Sequence, residues 1–98
     1  MRKARFELGR VVSTKRIGEE MKKSPSFLLF VLCALDRHAN ADWGDLPDAD
    51  AERNDQALKS GEERLFSAYN WDDCPDGKIW IITEWDRSVT TILFPSEY

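Results

Sequence analysis

The amino-acid sequence predicts a single α+β domain over residues 1–98. We expect an antiparallel sheet of about four strands, with two or three helices packed on one face. The last third of the chain contains three adjacent apolar and β-branched runs joined by short turns, a pattern typical of an antiparallel meander. The middle third of the chain predicts helices, because it contains residues typical of helix starts and helix ends. The 98 residues leave room for one core and not for a second domain.

The first third of the chain supplies one strand and one short helix. Residues 6–12 place alternate side chains on one side and end in two valines, which favours a strand. We expect this strand to add the fourth member of the antiparallel sheet. Ser13 or Thr14 could then cap a short helix through Ile17 and Met21, which lie four positions apart on one helical face.

Two further helices are predicted in the middle of the chain. Ser24 followed by Pro25 is typical of a helix start, and we expect a helix over residues 25–38. Its segment 27–35 is apolar on every side, which predicts a central helix buried all round. A third helix over residues 49–60 is expected to begin at an aspartate cap, Asp48, to end at Gly61 and to lie on the surface.

Three strands follow, over residues 64–71, 78–83 and 88–94. The Pro-Asp-Gly sequence at 75–77 indicates a turn between the first two, and a tight connection joins the second to the third. Both faces of the strand over 78–83 are apolar. We therefore expect either a second layer or the partner subunit of a homodimer to cover the far face of the sheet.

The charge is unevenly distributed along the chain. The formal net charge is −4, from 14 basic and 18 acidic residues. Residues 1–23 hold eight basic and three acidic side chains, whereas residues 24–98 hold six basic and fifteen acidic ones, a difference of +5 against −9. This balance argues against direct nucleic-acid binding through bulk positive charge. It predicts instead a local acidic face.

Acidic and tryptophan side chains concentrate in the predicted third helix and in the turns near it. Carboxylates spread over a rigid face can imitate phosphate groups and occupy a groove lined by Lys and Arg. Loop tryptophans can anchor an interface, although they could instead cover the core with their indole N–H groups bonded locally. The candidate partner-binding residues are Asp42, Trp43, Asp45, Asp48, Asp50, Glu52, Asp55, Trp71, Asp72, Asp73 and Trp85.

The sequence predicts no catalytic residue, metal site or cofactor. His38 is the one histidine, and it lies four positions before Asp42, a spacing that suits a metal or base pair. We favour a polar helix end for it, where the imidazole meets the negative end of the helix dipole. The acidic series lacks the spacing of a calcium loop, and the glycines form no phosphate-binding pattern. A small ligand-binding or enzymatic domain stays open as an alternative, centred on Trp43, Asp45, Asn54, Glu84 and Arg87.

Location and redox state follow from the apolar runs and the cysteines. No apolar run follows the N-terminus as in a signal peptide, and the longest, residues 27–35, is too short to span a membrane. We therefore expect a soluble cytoplasmic protein without membrane contact. Cys33 is predicted to be buried and Cys74 to lie in an exposed turn, with both thiols reduced.

Several segments of the chain are similar to a family of short bacterial proteins carried by plasmids and phages, often labelled plasmid-related proteins. They are FELGRVV at 6–12, DWGDL at 42–46, NDQAL at 54–58 and KIWIITEWDRSVTTILFP at 78–95. The resemblance implies that the protein is encoded by mobile genetic elements and acts against bacterial defence, as an anti-CRISPR or anti-restriction inhibitor. Such an inhibitor would bind a protein or ribonucleoprotein complex through the acidic face, as a DNA mimic. A dimeric regulator of plasmid maintenance, paired through the sheet, is the alternative within this resemblance.

Overall fold

The computed structural model describes residues 4–98 and confirms the α+β class. In chain order the elements are β1 (Arg10–Ser13), α1 (Lys15–Lys23), α2 (Pro25–Ala39), α3 (Asp48–Ser60), β2 (Leu65–Asn70), β3 (Lys78–Thr83) and β4 (Val89–Leu93). Single turns of 3₁₀ helix follow β2, at Pro75–Gly77, and β4, at Pro95–Glu97.

The four strands form one sheet in the order β1-β4-β3-β2. The pairs β2–β3 and β3–β4 are antiparallel, as the short connections predicted. β1 pairs with β4 in parallel, so the expectation of an entirely antiparallel sheet is wrong at this strand. The chain between β1 and β4 passes through three helices and two strands, and such a long crossover allows two neighbouring strands to run the same way.

β1 is also shorter than the predicted strand over residues 6–12. Its N-terminal part leaves the sheet because Phe6 packs on the core instead. The Phe6 ring centroid lies 5.4 Å from that of His38 and 6.2 Å from that of Trp43.

The start and stop signals of the helices mostly act as predicted. Thr14 and Ser24 cap α1 and α2, and each hydroxyl accepts a hydrogen bond from the backbone N–H three residues ahead, at 3.3 and 3.2 Å. Gly61 ends α3 in the left-handed conformation, with φ of 70°. Asp48 is not the cap that was predicted, because Pro47 takes that position and Asp48 becomes the first helical residue.

The main core lies between one sheet face and the first two helices. Side chains of β2, β3, β4 and the residue after β4 pack there against α1 and α2. The buried members of this core are Ile17, Phe27, Val31, Ala34, Tyr69, Cys74, Ile79, Ile81, Ile92 and Phe94. A second, smaller cluster of Trp43, Ala57 and Leu65 joins α3 to the edge of the sheet.

The prediction that α2 is buried on every side is wrong. Leu28, Leu29 and Leu32 are 39%, 63% and 52% exposed on its outward face. The sheet covers one side of this helix, and none of the elements described for residues 4–98 covers these three leucines. α2 thus carries an apolar stripe on the surface.

The two cysteines exchange the environments that were predicted for them. Cys33 is exposed on the outward face of α2, while Cys74 is buried in the main core. A helical position is exposed or buried according to the side it faces, and the turn that contains Cys74 folds back over the sheet. Both thiols are free.

The far face of the sheet carries a row of aromatic side chains. Trp80 makes edge-to-face contacts with Phe66 and Tyr98, with ring centroids 5.1 and 5.7 Å apart. Ile82 and Leu93 lie on the same face and are only 6% exposed. Trp80 faces away from Ile79 and Ile81, which lie in the main core.

Candidate functional site

The loop over residues 42–47 lies along the outer edge of β2 and acts as a short additional strand. Ala68 N donates to the Trp43 carbonyl at 3.3 Å, and Asp45 N donates to the Ala68 carbonyl at 2.7 Å, around a parallel bridge between Gly44 and Ala68. Asn70 N donates to Asp45 Oδ2 at 2.8 Å. This loop therefore satisfies the outward backbone groups of the C-terminal half of β2.

Asn54 forms hydrogen bonds with the backbone of the same edge of β2, nearer to the start of the strand. Its side chain is buried, and its Nδ2 donates to the Phe66 carbonyl while its Oδ1 accepts from Phe66 N, the latter at 3.1 Å. The amide thus takes the place of a neighbouring strand residue. The sequence signal was a polar residue on the inner face of α3, among Ala51, Ala57 and Leu58.

Replacing Asn54 by Ala is expected to lower the free energy of unfolding by about 2 kcal/mol, because it leaves both Phe66 backbone groups without their partner at a partly buried edge of the sheet. Gln56→Ala changes an exposed residue of the same helix and should stay within about 0.5 kcal/mol. Urea denaturation of both variants measures the difference. Equal stability of the two variants would show that the amide does not hold the edge.

Three carboxylates of the candidate set have partners inside the fold. Asp42 forms a bidentate ion pair with Arg37, at 2.8 and 3.2 Å, and this bond raises the pKa of the guanidinium. Asp55 Oδ1 accepts from the indole Nε1 of buried Trp43 at 2.9 Å. Trp43 therefore covers the core with its indole N–H group bonded locally, which is the second of the two roles that the sequence left open for the tryptophans. The third carboxylate is that of Asp45, which accepts the hydrogen bond from Asn70 N described above.

The bond between Asp45 and Asn70 also joins two acidic segments. It fixes the loop before α3 against the last residue of β2, and the turn with Asp72 and Asp73 follows directly. The carboxylates on the first half of α3 and in this turn are exposed. We call these five residues the acidic surface: Asp48, Asp50, Glu52, Asp72 and Asp73.

The two remaining tryptophans of the set lie in different places. Trp71 is half-buried and contacts Phe27 and Phe30, with ring centroids 6.2 and 5.1 Å apart. Trp85 is 62% exposed in the turn after β3. Because Thr83 pairs with Leu65, that turn lies near the start of β2, about 20 Å along the strand from its acidic end. Trp85 is therefore separate from Asp72 and Asp73.

Arg87, one of the five residues of the alternative ligand site, forms hydrogen bonds with backbone carbonyl groups. Its Nη1 donates to the Glu63 carbonyl at 2.6 Å, and its Nη2 donates to the Ala57 carbonyl near the end of α3 at 3.3 Å. Partial burial lowers the pKa of this guanidinium. The neighbouring Asp86 accepts a hydrogen bond from the Ser88 hydroxyl at 2.6 Å.

A groove of about 420 Å³ lies between α3 and the start of β2. Of the five residues of the alternative ligand site, only Asn54 lines it, and both ends of its amide are bonded to Phe66. Of the exposed charged side chains around it, the sequence singled out only Asp50, as a candidate for partner binding and not for this groove. The lining residues are Asp50, Arg53, Asn54, Glu63, Arg64 and Phe66.

His38 lies in the last turn of α2, as predicted, but it is buried within a chain of hydroxyl groups and not at a polar helix end. Its Nδ1 is bonded to Ser67 Oγ, and its Nε2 lies 2.9 Å from Thr83 Oγ1. Thr83 Oγ1 lies 2.7 Å from Thr90 Oγ1, which donates to the Leu8 carbonyl. The four side chains His38, Ser67, Thr83 and Thr90 are the His38 network, and all are fully buried.

The proton positions in the His38 network follow from its last bond. Thr90 gives its proton to Leu8, so Thr83 donates to Thr90 and must accept from His38 Nε2–H. Nδ1 then carries no proton and accepts from Ser67. Burial lowers the pKa of His38 to about 3, in agreement with a neutral ring. Because Ser67 and His38 are inaccessible, this pair holds strands and helix together and does not attack a substrate.

Among residues 4–98, no three His, Cys, Asp or Glu side chains are grouped so that they could hold a metal ion. No helix in that part of the chain is long and apolar enough to cross a membrane. Comparison with protein-family models, curated proteins and solved structures gives no match.

Proposed function

We propose that this protein is a stoichiometric inhibitor encoded by mobile genetic elements, an anti-CRISPR or anti-restriction protein. Its acidic surface would occupy a nucleic-acid-binding or partner surface of a bacterial defence complex in the host cytoplasm. The observation that carries the proposal is the hydrogen bond of 2.8 Å from Asn70 N to Asp45 Oδ2. It fixes the loop that leads into α3 against the last residue of β2, directly before the turn that carries Asp72 and Asp73.

Rigid placement of the carboxylates favours recognition. The loop before α3 is tied to β2 by four hydrogen bonds, and Asn54 ties the middle of α3 to the same strand. Charges fixed in this way lose little conformational freedom when they meet a basic groove. They also steer association with a positively charged partner.

The internal ion pair and hydrogen bonds indicate which carboxylates would face the partner. Three carboxylates already bind groups of this chain: Asp42 binds Arg37, Asp55 binds Trp43, and Asp45 binds Asn70. The five members of the acidic surface are exposed, and they carry the interaction in this proposal. The resemblance to plasmid- and phage-borne proteins supports a defence complex, protein or ribonucleoprotein, as the partner.

Reversing the charge of Asp48, Asp50 and Glu52 to Lys is expected to weaken capture of the defence complex at least 100-fold and to abolish protection of a phage. The test compares plating of the phage on cells that carry a CRISPR or a restriction system and express either form of the protein. Raising the salt from 0.1 to 0.5 M should weaken the wild-type contact as well, because screening shortens the range of exposed charges.

The matched control reverses three exposed acids outside the acidic surface, Glu7, Glu19 and Glu84, and has the same net charge. It should protect the phage as well as the wild type does. Circular dichroism confirms that both triple variants are folded. Full protection by the Asp48, Asp50 and Glu52 variant would contradict the proposal.

A further inference from the structure

We propose that two copies of this chain pair through the outward face of α2 as an antiparallel dimer. The contact surface is the leucine stripe, defined as Leu28, Leu29, Leu32 and Cys33. All four side chains are exposed and lie on one side of the helix. Leu32 follows Leu28 by about one helical turn, and Cys33 follows Leu29 in the same way. The proposal concerns a face that the acidic surface does not use and is independent of the proposed function.

The leucine stripe is a contiguous exposed apolar surface along one side of α2. Leu29 and Leu32 are more than half exposed, whereas Ile82 and Leu93 on the far face of the sheet are almost covered by their neighbours. The sequence placed a possible dimer contact on that far face, where Tyr98 is 69% exposed, but the contiguous exposed leucines lie on α2. Contiguous exposed leucines are typical of surfaces that bind another protein.

The charges at the two ends of the stripe favour a second copy in antiparallel orientation. Lys22 and Lys23 end α1, two or three residues before the first residue of α2, and both are exposed. Asp36 lies two turns beyond Leu29 on the same side of α2. A twofold axis between Leu29 and Leu32 brings the lysines of each copy to Asp36 of the other. A parallel pair would place like charges together.

Backbone electrostatics agrees with this arrangement, and interface size shows how far the contact has to extend. Antiparallel helices place the positive N-terminal end of each α2 beside the negative C-terminal end of the other. A stable interface buries roughly 800 Å² on each partner, which is more than three leucines supply. The end of α1, with Lys22 and Lys23, must therefore lie within the contact, as the twofold arrangement requires.

Sedimentation of the full chain between 5 and 200 µM tests the proposal. We expect a species of twice the 11.3 kDa chain mass at high concentration. Leu29→Arg with Leu32→Arg should weaken dimerisation at least 100-fold, whereas Val11→Arg, an exposed apolar position on β1, should leave it unchanged. Lys22→Glu with Lys23→Glu should weaken it about 10-fold, and adding Asp36→Lys should restore it.

The two cysteines supply a second readout within the same samples. Cys33 lies in the proposed contact, so its alkylation by a maleimide should slow at least 10-fold from low to high concentration. Cys74 is buried, and burial raises the pKa of its thiol, so it stays unreactive in both states. A chain that sediments at 11.3 kDa at every concentration overturns the proposal. A dimer that persists in the Leu29 and Leu32 variant overturns it as well.

Discussion

Acidification from pH 7 to pH 4 is expected to lower the free energy of unfolding by about 3 kcal/mol through His38 alone. The folded-state pKa of His38 is about 3, below the value of 6.5 in an unfolded chain. Between these two values the unfolded chain binds more protons. The stabilisation from neutral His38 is therefore complete above pH 6.5 and is lost as the pH falls toward 3.

The physical cause lies in the His38 network. A protonated ring would be a charge without contact with water, and its Nδ1–H would meet the hydroxyl that now donates to it. His38→Gln lacks the titration, so its stability should be lower at pH 7 but flat between pH 7 and pH 5. Over the same interval the wild type should lose about 2 kcal/mol in urea denaturation. Parallel pH profiles of the two proteins would contradict the assignment.

Gly44→Ala is expected to lower the free energy of unfolding by about 4 kcal/mol, from left-handed backbone strain and overpacking together. Gly44 has φ of 76°, and a Cβ there would overlap the Ala68 carbonyl oxygen and lie 2.6 Å from Tyr69 Cδ1. Backbone cannot yield as a flexible side chain does. The loop over residues 42–47 would have to leave the edge of β2.

Gly61→Ala is the matched control. Gly61 has φ of 70°, but a Cβ at this position meets nothing within 4 Å. Its expected cost is about 1 kcal/mol, which represents the left-handed backbone alone. Denaturation midpoints of the two variants thus separate conformational strain from close packing. Equal losses would mean that the loop does not depend on its approach to Ala68.

Local signals made much of the fold predictable. The Ser24–Pro25 start of α2 and the Gly61 end of α3 depend on hydrogen bonds and dihedral angles within a few residues. The three strands of the meander follow from adjacent β-branched runs with short turns. Each of these features is encoded by neighbours in the sequence, so no knowledge of distant contacts was needed.

The features that were missed depend on distant residues. His38 lies in the last turn of α2, but its partners Ser67 and Thr83 are 29 and 45 positions away. An all-apolar helix such as α2 has the same composition whether one side or every side is covered, so its exposed leucines could not be told from its buried ones. The direction of β1 is set by a register with β4 across most of the chain.

The candidate site divides in the same way. Exposure of Asp48 and Asp50 was predictable from a helix with a thin inner face. The indole bond of Trp43 to Asp55 was not, because the loop before α3 had no regular pattern that would fix its path. The separation of Trp85 from Asp72 and Asp73 follows from the β2–β3 register, which single-strand patterns do not give.

The parallel pairing of β1 with β4 imposes an order on folding during synthesis. Arg10 pairs with Val89, so at roughly 5–20 residues per second β1 waits on the order of 4–16 s for its partner to be translated. β2 and β3 both precede β4 in the chain, so their pairing does not need β4. β1 has no strand partner until β4 has been translated, which makes its place in the sheet depend on the strand that is translated after all the others described for residues 4–98.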